Sequence, residues 1–455
     1  MSDTEMMEPW EQLAQLARQG GPQEIADYLD ALSSRDLALA MSRLSDEEQG
    51  LVLTSLAPDQ AADLVEELSD AQAAEMFHHL QPAAAAAILD KLPSDEQADL
   101  LGDLDADDAA AILDLMQPEE AADARELSRY PDNVAGGLMV REFLRYPDHY
   151  SVADVVRDLR DHADEYRDYD VQYAYACDAD GRLQGVLRLR DLLLAQPGRM
   201  ISELMIRQPV SVRDDASLDD LALLFDRHHY LGVPVVDVSG KLVGVVRKGD
   251  VDESRGEQRD SDFLKMQGIV GGEEIRTMPL WRRSRRRLAW LSVNIVLNCF
   301  AASAIALFQD TLSAVIALAV FLPIISDMSG CSGNQAVAVS LRELSLGLLR
   351  PTELARVWLL EVSVGLINGL ALGLLVGIMA WIWKGNPYLG LVVGISLCLN
   401  TMVAVSIGGL VPLVLKRWRI DPAIASGPIL TTVTDMCGFF LVLGIATLLL
   451  AKLGG

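Results

Sequence analysis

Residues 171–191, VQYAYACDADGRLQGVLRLRD, and residues 233–250, VPVVDVSGKLVGVVRKGD, decide how the chain is divided. Each reads as a strand, a tight turn, a second strand and the start of a helix. The two stretches superpose at a constant offset of 59 residues, with Asp178 on Asp237, Gly181 on Gly240, Leu183 on Leu242, Gly185 on Gly244 and Asp191 on Asp250. Matches at one offset imply a duplicated α/β module, the first copy at about 140–198 and the second at about 199–252 within a region spanning 131–252. The repeated glycines need no ligand to explain them, because hairpin turns require them.

This arrangement resembles a tandem pair of CBS domains, whose pattern runs D-x-x-G-x-L-x-G-(V/I)-(V/I)-(S/T)-x-x-D. CBS pairs often bind adenine nucleotides through the final Asp, so the resemblance implies Asp191 and Asp250 as ribose contacts and ATP as a candidate ligand. The chain departs from the pattern at the Ser/Thr position, which is Arg188 in one copy and Arg247 in the other.

Upstream, Leu44, Leu56, Leu68, Leu80, Leu92, Leu104 and Met116 recur every 12 residues, each followed by a capping or breaking residue. One short amphipathic helix per unit follows, and stacked units make an α-solenoid over 1–130. This segment holds 30 acidic against 6 basic residues. Most of those carboxylates are expected on a solvated face. Asp95, Asp99 and Asp103 recur every four residues on one helical face and offer a cation-binding edge, whereas His78-His79 reads as an isolated surface pair. The N-terminus lacks an apolar stretch of the secretory kind. A net charge of −27 and a pI near 4.5 argue against sequence-independent nucleic-acid binding and favour cationic partners. Five cysteines without CxxC spacing suggest neither a disulfide framework nor a zinc site.

Downstream the composition turns apolar and mildly basic. Residues 288–308 carry no charge, enough to cross a hydrocarbon core of about 30 Å, and comparable segments run about 312–340, 357–383, 389–415 and 425–450. Basic residues precede the first (Arg282, Arg283, Arg285, Arg286, Arg287), separate the second from the third (Arg342, Arg350, Arg356) and the fourth from the fifth (Lys416, Arg417, Arg419). The alternate loops hold only Asp310 and Lys384. The positive-inside rule then predicts five helices in the lipid bilayer over 288–455, with the N-terminal domains cytoplasmic and the C-terminus outside.

Three acids fall inside these spans: Asp327, Glu361 and Asp435. A carboxylate in hydrocarbon is costly and marks a pathway or a partner. Asp435 follows Gly427-Pro428 and Thr431, Thr432 and Thr434, a set of oxygen ligands and water anchors suited to a hard cation that keeps its hydration shell. Asp327 lies in PIISDMSGCSGNQ with Asn334 and Gln335, which packing by small residues does not explain. Glu361 has an ordinary reading too, as a snorkelling acid or a partner of Arg356.

The whole chain from about 35 to 450 resembles the MgtE family of bacterial magnesium channels. The most specific matches are AGGLM at 135–139, P-x-x-x-x-M-x-G-x-x-G-x-Q from Pro323 to Gln335, and D-P-A-x-x-S-x-P-x-x-x-T-x-x-D from Asp421 to Asp435. The resemblance implies a multi-domain membrane protein, with an all-α helical-repeat N domain, an α/β tandem CBS pair, a connecting helix over 253–287 and a five-helix bundle. It implies a homodimer of the inner membrane, with a pore lined by Asp435, Thr431 and Gly427. It also implies Mg²⁺ as both cargo and regulator, binding between cytosolic parts. Asp250, Glu253 and Asp262 fit that sensing role, with Asp95 and Asp99 on the helical repeat. The family's G-M-G-G-N-x-G is here Asp327-Met328-Ser329-Gly330-Cys331-Ser332-Gly333, and Arg255 and Arg259 dilute the acids of the connecting segment.

No phosphate-binding GxxxxGK(S/T) motif or phosphorylatable DKTG appears, so the expectation is passive flux rather than a pump or an enzyme. Another divalent cargo, Mn²⁺ or Co²⁺, and a non-transporting nucleotide sensor built on the CBS pair are the alternatives.

Overall fold

The computed structural model describes residues 7–453 except 165, 168, 170, 171, 273, 277, 351 and 419, with the backbone alone at 424–426. Arg419 of the basic pattern therefore lies outside the described residues. Contacts divide the chain into two units, Met1–Gln258 with Ile275–Met278, and Arg259–Glu274 with Pro279–Gly455.

The first unit opens with helices α1 (Pro9–Gln19), α2 (Pro22–Asp30), α3 (Ser34–Arg43), α4 (Asp46–Ser55), α5 (Pro58–Glu66), α6 (Asp70–Phe77), α7 (Pro82–Leu89), α8 (Ser94–Asp103), α9 (Ala106–Leu113) and α10 (Pro118–Leu127). The periodic residues, Leu44 to Met116, each close a helix and are at most 9% exposed. Starts are set by local chemistry. Ser33 and Ser45 accept the amides of Asp36 and Glu48, while Pro58, Pro82 and Pro118 sit at first-turn positions where an amide has no helical partner anyway. Alternate helices pack on one another, so each short helix hides its apolar stripe on a neighbour.

The duplicated module follows as β1 (Met139–Val140), β2 (Leu144–Pro147), α11 (Val152–Asp161), β3 (Tyr173–Cys177), β4 (Leu183–Arg188), α12 (Leu189–Leu194), α13 (Ile201–Leu204), β5 (Ile206–Arg207), β6 (Val212–Arg213), α14 (Leu218–Arg227), β7 (Gly232–Val236) and β8 (Leu242–Arg247). Two four-stranded sheets form, ordered β2-β3-β4-β5 and β1-β8-β7-β6. The sheets cut across the sequence division at 198/199, because β1 precedes the first copy yet pairs with β8, through Met139 opposite Val246, and β5 of the second copy pairs with β4. The equivalent glycines do equivalent work. Gly181 and Gly240 take φ of +80° and +83° in the hairpin turns, which Asp178 and Asp237 clasp by accepting backbone amides. A Cβ on Gly185 would lie 2.5 Å from Met205 Sδ, and one on Gly244 2.5 Å from Met139 Sδ. At the junction with the helical repeat, a Cβ on Gly136 would lie 2.3 Å from the Tyr130 ring and one on Gly137 2.5 Å from the Pro131 carbonyl, which accounts for both glycines of AGGLM.

Helix α15 runs Lys248–Met266. The connecting helix expected over 253–287 is thus interrupted. The chain turns at Gly268 and Gly271, both with positive φ, and the basic run 282–287 forms the first turns of α16 (Leu280–Leu307) rather than a loop before it. Then come α17 (Gln309–Ala314), α18 (Leu318–Ser345), α19 (Leu354–Lys384), α20 (Pro387–Arg417), α21 (Pro422–Leu448) and α22 (Leu450–Leu453). Among the described residues four helices are long and apolar enough to cross a membrane, namely α16, α19, α20 and α21 from Gly427. The fifth expected span, at about 312–340, falls on α18, which is less apolar than these four. Helix α18 has the length, 28 residues, but Asp327, Asn334, Gln335 and its serines and glycines dilute its apolar content. Glycines set the packing around α20. A Cβ on Gly373 would lie 2.5 Å from the Gly394 carbonyl, and one on Gly408 2.3 Å from the Gly333 carbonyl, so α19 and α18 both meet α20 backbone to backbone.

Candidate cation-sensing cluster and cation pathway

In the first unit, α8 presents Asp95 to the end of β8 and the start of α15. Arg247 donates from Nε to both oxygens of Asp250, at 3.1 and 2.8 Å, and from an Nη to Asp95 Oδ2 at 3.3 Å. One guanidinium therefore joins the helical repeat to the second CBS module. Glu66, Asp70, Glu96, Asp99, Glu253 and Glu257 complete the lining. So many carboxylates around one arginine raise the cost of ionisation. Burial, then repulsion from Asp250, lifts Asp95 to about 7, against the pull of Arg247. Burial and Glu66 lift Glu96 to about 8, and burial with Asp132 and Asp70 lifts Asp99 to about 8. Asp250 is also raised by burial, although Arg247 opposes it.

Of the sequence-expected sensing residues, Asp95, Asp99, Asp250 and Glu253 come together here. Asp262 lies on the last turns of α15 in the other unit. Asp191, one of the two candidate ribose contacts, pairs with Arg190 at 3.6 Å, and Asp250, the other, is engaged by Arg247. Beside the cluster is a cavity of about 960 Å³ walled by Asp59, Asp63, Glu119, Glu120 and Asp123, with Tyr173 and Tyr175 from β3.

In the second unit, Asp435 sits midway along α21, half-buried, and Ser326 of α18 donates its hydroxyl to Oδ1. The partner is thus a serine. The nearby asparagine, Asn400 of α20, instead donates to the Thr434 carbonyl at 3.1 Å, and its Oδ1, fully buried, has no hydrogen-bond partner among the described residues. Thr431 is exposed one turn before Asp435 and donates its hydroxyl to the Gly427 carbonyl at 3.0 Å. A Cβ on Gly427 would meet nothing within 4 Å, so packing does not require that glycine. On α18, Asp327, Cys331, Asn334 and Gln335 are all exposed. Glu361 does not pair with Arg356, which reaches Glu353 at 3.5 Å; its stem packs where a Cβ on Gly409 would lie 2.7 Å from Cγ. The connecting segment touches the base of the same helix. Lys265 pairs with Asp421, the N-cap of α21, at 3.3 Å, and the buried Glu274 holds Arg283 and Arg287 of α16.

A family model described as a divalent cation transporter, MgtE, matches residues 322–445, the span that contains α19, α20 and the Asp435 region; the MgtE intracellular N domain matches 32–133 and a CBS domain 201–255. The magnesium transporter MgtE of Thermus thermophilus is 33% identical over 334 residues, 72% of this chain and 73% of that protein. The chain belongs to the MgtE family. The Bacillus subtilis magnesium transporter MgtE is likewise 33% identical over 278 residues, and the chain spans 61% of its length. Among solved structures, the cytosolic domain of the Mg²⁺ channel MgtE in complex with ATP is 32% identical with a TM-score of 0.50, covering 54% of this chain and 99% of that one. The soluble part of a magnesium transporter is 26% identical, also at 0.50, covering 56% and 99%.

Within this MgtE-family chain, sequence reasoning missed Ser326, Arg247, Glu66, Asp70 and Glu96. Arg247 stood out as a departure from the CBS pattern, but its partner Asp95 is 152 residues away in the chain. The signal that could have found it was the cation itself, lodged in so acidic a half.

Proposed function

We propose that the chain is a Mg²⁺ channel of the inner membrane, working as a homodimer and passing Mg²⁺ inward without an energy-coupling step. The observation that carries this reading is Asp435, a carboxylate deep in a membrane-length helix with a serine and no lysine or arginine beside it among the described residues. Hydrocarbon does not tolerate such a group unless it faces water or an ion. The exposed Asp327, Asn334 and Gln335 of α18 and the orphaned Asn400 oxygen support the same inference, since polar surface of this kind belongs against a second copy or an aqueous path. An inside-negative potential of 100 mV would favour entry of a divalent ion by about 4.6 kcal/mol, twice the single-charge value. Thr431, Gly427, Asn334 and Asp327 are the accompanying pore residues in this reading, and the N-terminal domains face the cytoplasm.

Control would come from the acidic cluster. Carboxylates raised towards neutrality bind Mg²⁺ at the expense of protons, and Asp95, Asp99, Asp250 and Glu253 are placed to do so; Asp262 would act through the connecting helix, which Lys265 ties to α21. The deciding experiment is flux into liposomes with Mg²⁺, Mn²⁺ and Co²⁺. Asp435→Ala and Asp435→Asn should fold and lose divalent flux, whereas wild-type flux in either would remove Asp435 from the pathway. The ATP complex of a relative favours adenine nucleotide as a second ligand. Against it, both ribose-type aspartates are paired with arginines, so nucleotide binding should be weak unless Arg247 is removed.

A further inference from the structure

Among the described residues only one trio of metal-ligating side chains has its ligand atoms within 4.8 Å of one another, and it lies outside the acidic cluster: His78, Asp105 and Asp108. His78 is the C-cap of α6, Asp105 the N-cap of α9 and Asp108 the third residue of that helix. His78 Nδ1 stands 3.6 Å from Asp108 Oδ2.

The helical repeat makes the departure visible. In α4 the same two positions are Ser45 and Glu48, which close a capping box through the Ser45 hydroxyl and amide. In α9 both positions are carboxylates, and Asp105 makes no side-chain bond to its own helix, although an N-cap aspartate ordinarily accepts an amide there. Neither Asp105 nor Asp108 is paired with a lysine or arginine among the described residues. The imidazole is largely enclosed, with 15% of the side chain exposed, while Asp108 is 55% exposed. The nitrogen is therefore fixed by packing and the carboxylates are free to close on an ion.

We propose that His78, Asp105 and Asp108 form a site for a transition-series divalent cation of the zinc class. Imidazole nitrogen suits Zn²⁺ and its neighbours in the series, whereas Mg²⁺ takes oxygen. Ligands about 2.1 Å from a tetrahedral ion lie about 3.4 Å apart, so the carboxylates need to move by only about an ångström, and water fills the remaining position. Such an ion would staple the end of α6 to the turn after α8, the helix that carries Asp95 and Asp99. The channel's cytosolic half would then respond to a second metal that its cargo cannot replace.

The test is Zn²⁺ binding to the full chain in detergent, by equilibrium dialysis against saturating Mg²⁺. Wild type should retain one Zn²⁺ per chain, with a rise in unfolding temperature. His78→Gln should weaken binding by at least ~10-fold, the smallest loss met when even an outer partner of a metal ligand is removed. Asp105→Asn, at an exposed position where misfolding is not at issue, should do the same, and His79→Gln and Asp107→Asn should bind as wild type. Zn²⁺ retention undiminished in His78→Gln and Asp105→Asn, or no Zn²⁺ held by wild type once Mg²⁺ saturates, would overturn the proposal and leave His78 and Asp108 as an ordinary ion pair.

Discussion

At the scale of single residues, Arg247 carries the most consequence. It neutralises Asp95 and Asp250 where their side chains are 9% and 17% exposed. Replacing a cation between buried acids leaves charges with no partner, a change that costs about 3–5 kcal/mol when the pair is fully enclosed, and less here because Arg247 is a quarter exposed. Arg247→Ala should therefore lower the unfolding temperature of the chain in Mg²⁺-free buffer and recover most of the loss in millimolar Mg²⁺, an ion that takes over the same role. Thermal unfolding with and without Mg²⁺ reads this directly, and a variant as stable as wild type in Mg²⁺-free buffer would mean the arginine is not the bridging cation. In the second unit, Ser326→Ala removes a neutral donor to Asp435 and leaves the carboxylate, so flux should fall severalfold at most, against its loss in Asp435→Asn.

At the scale of elements, α8 should make stability depend on pH. Asp95, Glu96 and Asp99 are raised to about 7, 8 and 8 in the folded chain, whereas unfolded carboxylates titrate near pH 4. Below about pH 4 both states hold these protons. Between about pH 4 and 8 the folded chain keeps protons the unfolded chain has released, so the contribution of these groups declines as pH rises and is gone above about pH 8. The unfolding temperature without Mg²⁺ should fall from pH 6 to pH 9, and saturating Mg²⁺ should flatten that slope by favouring the ionised carboxylates; an unchanged slope would show that Mg²⁺ does not bind at α8. Gly244→Ala tests a different element. Its Cβ would overlap Met139, whose side chain reaches β8 from β1, and overpacking of this kind costs about 1–3 kcal/mol. The sequence displayed what is periodic or duplicated: the helices between Leu44 and Met116, and the two hairpins at an offset of 59. It concealed what depends on chain-distant partners. β1 and β5 are two residues long, too short for any alternation, so nothing local announced that each would complete the other copy's sheet. His78 looked isolated because its partners lie a further three helices along, and α18 looked like the other spans because length and scarcity of charge say little about how polar its surface is.

At the scale of the whole molecule, the acidic half is held together against its own repulsion. If Mg²⁺ bridges its carboxylates, protease resistance around residues 250–280 should rise with Mg²⁺ and not with Na⁺ at equal ionic strength, since screening alone would protect equally with both. Limited proteolysis followed by mass spectrometry distinguishes the two, and equal protection would mean that no specific bridge forms. Removal of residues 1–130 should weaken this response, because Asp95 and Asp99 go with them. The exchange of β1 and β5 between the two sheets also governs how the chain is made. Met139 emerges from the ribosome long before Val246, its partner roughly a hundred residues further on, and non-local pairings of this kind form late. Until translation passes the second hairpin, the linker from the helical repeat has no ladder to join. A product ending between the two copies would leave β1 without a partner and β4 as an open edge, the kind of surface on which nascent chains stick to one another. Neither sheet is thus complete until the second copy has been made, whereas the helical repeat, with an apolar core of its own, waits for nothing downstream.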